Sequence, residues 1–157
     1  MDEEYTKITK DILYNTEFLK LKDFKHHGIT RLDHVSRVSK LSYKYCKKHK
    51  LDYKAAARAG LLHDFFLVNN QKLNIITRIK VLFTHPKLAL ANSKKYFDLS
   101  KKEEQIILSH MFPVGLRLPL SREAWIVCIV DDIASIYERI KRRWINIHLL
   151  FHLLFHS

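Results

Sequence analysis

The sequence predicts an all-α fold, and three observations carry that prediction. Only three glycines and three prolines punctuate 157 residues, far too few for the turns of a sheet-rich chain. Apolar residues recur at intervals of three and four through most of the length, the spacing of one helix face. Ser, Asp and Pro residues stand where such stretches begin, as helix starts require. The chain is long enough to bury roughly two thirds of its unfolded surface. No repeat, low-complexity linker or second boundary interrupts it, so residues 1–157 are expected to form a single domain.

The elements follow in order. Ile8, Ile12, Leu13 and Leu19, interleaved with lysines, predict a first helix over about residues 4–21. Asp23 to Gly28 reads as a connector, and His26-His27-Gly28 within it as a plain loop or the rim of a site. A helix over about 31–48 carries the stripe Val35, Val38, Leu41, Ser42 and Tyr45, with His34 at its border. Asp52 caps a third helix through Ala55 to Leu62, which delivers His63-Asp64 near its end. Between residues 65 and 84, Asn69-Asn70 suggests a turn and Leu73 to Phe83 a short basic helix. Pro86 favours a first helical position and drives His85 out of the α region. His85 is therefore expected at the mouth of a helix running to about Phe97. Ser100 and Glu103 form a capping box for a helix carrying Ile106, Ile107 and His110. Pro113 ends it, and after a loop with Gly115 and Pro119, Ser121 caps a long helix to about Arg143. In the C-terminal extension, residues 145–157, His148, His152 and His156 recur every fourth residue. It reads as a packing or self-association helix or as an extension without a function, and its apolar content would favour a homodimer through this segment.

Composition limits the function classes. A net charge of +12 and a pI near 9.7 draw anionic partners from a distance. A small phosphorylated substrate suits that charge, nucleic acid is the less favoured partner, and a solvated lysine-rich surface accounts for it equally. Two cysteines, Cys46 and Cys128, are too few for a disulfide framework and sit in apolar helical patterns. They point to the cytoplasm. The acidic start Met1-Asp2-Glu3-Glu4 is no secretory signal, and no run reaches the roughly 20 apolar residues of a membrane span.

The residues that carry chemistry form a spaced series: His34, His63-Asp64, His85, His110 and Asp131. Each histidine taken alone reads as well as a surface or satisfied interior side chain. His34, His63 and His110, however, all adjoin apolar core patterns or helix ends. Asp131 has its own argument. It follows Ala124-Trp125-Ile126-Val127-Cys128-Ile129-Val130, a run apolar on every side and therefore expected to be buried all round, where an unpaired carboxylate costs several kcal/mol. An ion pair, exposure at the helix flank, neutralisation or a metal would each relieve that cost. Imidazole mixed with carboxylate suits borderline divalent metals such as Fe, Mn, Co, Ni or Zn. The absence of a Cys-rich cluster argues against a structural zinc site.

The series resembles the HD superfamily of metal-dependent phosphohydrolases over about residues 26–140. Arg31-Leu32-Asp33-His34 resembles the first-histidine motif, Ala59-Gly60-Leu61-Leu62-His63-Asp64 the name-giving motif, and Val130-Asp131 the terminal aspartate motif. Thr84-His85-Pro86 and Ser109-His110-Met111 match the extra histidines of dinuclear members. The chain departs from the pattern after the dipeptide, where Phe65-Phe66-Leu67-Val68 replaces a frequent Lys or Gly, and after Asp131, where Asp132 replaces a frequent Lys. The resemblance implies a compact multi-helix HD-domain bundle with one or two divalent metal ions. His34, His63, Asp64 and Asp131 would hold one metal, and Asp64 would bridge to a second held by His85 and His110. A bridging hydroxide would then attack a phosphate ester or anhydride. Arg31, Arg58 and Lys87 would position the substrate. A non-catalytic module that binds a nucleotide or nucleic acid is the alternative.

Overall fold

The computed structural model describes residues 2–26, 29–68 and 74–155, with residues 25, 26 and 145–155 described as backbone alone. The glycine of the His26-His27-Gly28 connector, the Asn69-Asn70 turn and the side chains of His148, His152 and His156 lie outside that description.

Seven α-helices make up the architecture among the described residues. Helix α1, Glu3–Leu13, starts at Asp2, whose carboxylate accepts from the amides of Glu4 and Tyr5. The single helix expected over 4–21 breaks after Leu13. Asn15 accepts from the amides of Glu17 and Phe18 at 3.0 Å each and so opens a new short helix, α2, Thr16–Leu19, followed by a 3₁₀ turn, Lys20–Asp23. An asparagine side chain that satisfies backbone donors competes with helix continuation, and here it wins. Two residue pairs, β1 (Lys25–His26) inside the expected connector and β2 (Ile29–Thr30) just after it, run antiparallel.

Helices α3, Arg31–Lys48, and α4, Tyr53–Leu62, form the centre. Thr30 caps α3 and Asp52 caps α4. The run Ala55, Ala56, Ala57, Ala59 and Gly60 keeps α4 slim, so α3 can lie against it while α1, α6 and α7 pack round the rest. Gly60 marks the closest approach, since a Cβ there would stand 2.8 Å from the Cα of Ser39. Ser39 donates across this contact to the carbonyl of Ala57 at 2.6 Å.

Helix α5, Ile75–Tyr96, overturns two expectations at once. The short basic helix and the helix after His85 are one element, and Pro86 lies inside it rather than at its start. The proline has no N–H for the carbonyl of Leu82, which would normally cost the helix a hydrogen bond. The imidazole of His85 supplies the missing donor, with its Nδ1 2.9 Å from that carbonyl.

Helix α6, Lys101–Ser109, carries the expected capping box of Ser100 and Glu103. Helix α7, Arg122–Phe155, begins with Ser121 accepting from the amide of Ala124. It continues well past Arg143. The apolar run at its start is not buried all round: Ala124, Val127 and Cys128 face the core, but Trp125 is 40% and Ile129 50% exposed. Uniform hydrophobicity predicted a fully enclosed helix, whereas α7 lies on the outside of the bundle and covers the core with one face. No helix among the described residues is long and apolar enough to cross a membrane.

Candidate metal centre

All six side chains of the series converge on one buried place. His34 comes from the first turn of α3, His63 and Asp64 follow the end of α4, His85 lies in α5, His110 follows α6, and Asp131 lies on α7. Each is buried. Three overlapping groups, namely His34, His63 and Asp64; His63, His110 and Asp131; and Asp64, His85 and His110, each place one ligand atom per residue within 4.8 Å of the others. Asp64 belongs to the first and third.

Three of the four imidazoles are aimed by the same device. The Nδ1 of His63 lies 2.9 Å from the carbonyl of Gly60, that of His85 2.9 Å from Leu82, and that of His110 2.8 Å from Ile107. Each is the carbonyl three residues earlier. Gly60 and Ile107 sit in last helical turns, whose carbonyls lack an intrahelical partner, and Pro86 frees the carbonyl of Leu82. A carbonyl only accepts, so each Nδ1 carries a hydrogen, and in the neutral ring each Nε2 then presents a lone pair. These three Nε2 atoms point inward.

That arrangement calls for a cation. The Nε2 atoms of His85 and His110 are 3.0 Å apart, and neither can donate to the other in the tautomer its Nδ1 bond imposes. Asp64 Oδ1 lies 3.3 Å from the first and 3.7 Å from the second. The Nε2 of His63 is buried with no hydrogen-bond partner. It stands 3.5 Å from Asp131 Oδ1, and although burial opposes a charge on His63, that carboxylate and Asp64 raise its pKa. A proton is a poor remedy at His110, because burial, with His63 and His85 beside it, pushes its pKa down to about 3. Inward-facing imidazole nitrogens interleaved with carboxylate oxygens fit a borderline divalent metal.

His34 is held differently. Its Nε2 lies 2.8 Å from Asp131 Oδ1 and its Nδ1 3.0 Å from Oε2 of Glu138. Burial opposes its charge, but the hydrogen bonds to Asp131 and Glu138 outweigh this and raise its pKa to about 10. Burial likewise opposes the charge on Asp131, yet His63 and His34 hold its carboxyl well below the ordinary range. Sequence reasoning missed Glu138. It is buried, accepts from Arg37 at 2.8 Å through its other oxygen, and stands two helical turns after Asp131 on the same face. That spacing was the available signal.

The three basic residues expected near substrate are placed apart. Arg31 is buried with its guanidinium 3.8 Å from the Phe66 ring centroid and 5.3 Å from that of Phe24. It donates to the carbonyls of Phe66 and Val68, and so clamps the segment that follows His63-Asp64. Arg58 has its donors committed to Asp11 and Glu103. Lys87 is exposed on α5.

Comparison with curated proteins and with solved structures finds no significant match. A family model described as HD domain matches residues 31–136, a span that runs from the clamp Arg31 past the last of the converging side chains. The ligand-competent cluster lies wholly inside that span, and the chain belongs to the HD domain family, within the HD superfamily of metal-dependent phosphohydrolases.

Proposed function

We propose that this protein hydrolyses a phosphate ester or anhydride of a nucleotide or other small phosphorylated compound. The observation that carries the reading is the buried Nε2 of His63, which has no hydrogen-bond partner, together with the inward-facing Nε2 atoms of His85 and His110 set against Asp64. His34, His63, Asp64 and Asp131 would hold one divalent ion, and His85 and His110, with Asp64, a second. Divalent ions there would lower the pKa of a water and neutralise charge on phosphoryl oxygens.

The protein residues supply the rest. Asp64 orients the attacking water from its position between the two groups. The carbonyls of Gly60, Leu82 and Ile107 fix the imidazole tautomers. Glu138 and Asp131 hold His34 from both sides. Lys87, exposed on α5 two residues after His85, meets the incoming anion. Arg31 acts by locking Phe66 and Val68, while Arg58 takes no part. The excess of positive charge steers anionic substrates, and buried, unpaired Cys46 and Cys128 accord with a reducing cytoplasmic setting. Residues 1–157 act as one domain, with an HD core over about 26–140.

The test is a panel of nucleoside mono-, tri- and tetraphosphates and cyclic dinucleotides, assayed with Mn, Fe, Co and Ni. Turnover that is lost in His63→Ala and Asp64→Ala supports the reading. Bound metal without turnover on any member would instead make the protein a non-catalytic binding module.

A further inference from the structure

The outer face of α7 carries a feature that the metal centre does not use. Trp125, Ile129, Ile133, Ile136, Ile140 and Trp144 lie on it, each between 40% and 70% exposed. The opposite face, with Val127, Asp131, Ala134 and Glu138, is buried against the bundle. Successive members of the outer stripe are four, four, three, four and four residues apart. Both the spacing and the residue types, Trp-Ile-Ile-Ile-Ile-Trp, read the same in either direction. The stripe is about 30 Å long at the helical rise per residue, and a monomer rarely leaves so continuous an apolar surface in water.

We propose that this face pairs with the same face of a second copy, antiparallel, about a two-fold axis passing between residues 134 and 135. A two-fold interface must be self-complementary, with residue i meeting j and j meeting i. Antiparallel pairing about that point sets Trp125 against the partner's Trp144, Ile129 against the partner's Ile140, and Ile133 against the partner's Ile136. Every large side chain of the stripe then meets its counterpart, and none is left over. Asp132, exposed at the edge of the stripe, falls opposite the partner's Tyr137, whose hydroxyl can donate to it. A membrane surface fits less well. A bilayer makes no use of a sequence that reads alike in both directions.

Sedimentation equilibrium of the full chain tests the pairing. It should show a dimer, and Ile133→Glu and Ile136→Glu should each raise the dissociation constant by at least about tenfold, the effect of losing one buried isoleucine contact. Ile76→Glu, at a still more exposed site on α5, should leave it unchanged. Direction is read by mixing Trp125→Cys chains with Trp144→Cys chains and adding a short bismaleimide. Cross-linked product should form in the mixture and not with either variant alone, since native Cys46 and Cys128 are buried. A chain that stays monomeric at high micromolar concentration, a monomer that binds anionic vesicles through this face, or efficient cross-linking of Trp125→Cys alone would each overturn the proposal.

Discussion

Replacing Glu138 with alanine would leave Nδ1 of His34 buried without its acceptor and Arg37 without its carboxylate. Partners of this kind, which orient a ligand without touching the metal, are worth roughly 10- to 100-fold in metal affinity. Glu138→Ala is therefore expected to weaken divalent-ion binding by that factor in a calorimetric titration, and Glu138→Gln, which keeps an acceptor oxygen, by less. The same histidine sets a pH dependence. His34 has its pKa raised to about 10, so its contribution to stability is full below the ordinary histidine value and lost as pH climbs through about 10. His110 has its pKa lowered to about 3, so the unfolded chain takes up a proton that the folded one refuses as pH falls below the ordinary value. Metal-free protein should be most stable near the ordinary histidine pKa and lose stability on both sides, measurable by urea unfolding across pH. A monotonic profile would contradict the assignment. The six converging side chains were legible because their motifs are local in sequence. Glu138 was not, because its partner His34 is far away in the chain and a lone buried glutamate leaves no motif.

At the scale of the element, the proline of α5 shows how a local rule is overridden. Pro86 read as a helix start because an interior proline strands a carbonyl. His85 supplies the donor that removes this penalty, and only the folded chain reveals the exchange. Pro86→Ala would give the Leu82 carbonyl a backbone donor that competes with His85. We expect helix α5 to gain on the order of 1 kcal/mol while the aim of His85 loosens. Hydrogen exchange should show slower opening of α5, and metal titration a weaker second binding step. The contact of α3 with α4 gives the opposite trade. A methyl at Gly60 would meet backbone at 2.8 Å, and overpacking of this kind costs about 1–3 kcal/mol. Gly60→Ala should lower the denaturation midpoint and weaken metal binding together, because the helices it pushes apart carry His34 and His63. The caps at Asp52 and Ser100 were legible as single side chains facing their own backbone. The break at Asn15 was not, since apolar spacing continues across it.

For the whole molecule, five helices deliver ligand-competent groups to one point while α7 both contributes Asp131 and presents an unpartnered outer face. The all-α class was legible from sparse glycine and proline and from helical spacing. The outside position of α7 was not, because a run that is apolar all round looks the same whether a core or a second copy covers its far side. The central claim is that the six converging side chains form a metal centre, and anomalous diffraction from crystals grown with manganese tests it most directly. Anomalous peaks are expected within coordination distance of His34, His63, Asp64 and Asp131 and, beside Asp64, of His85 and His110. Manganese bound elsewhere on the protein, with no peak among these six residues, would contradict it.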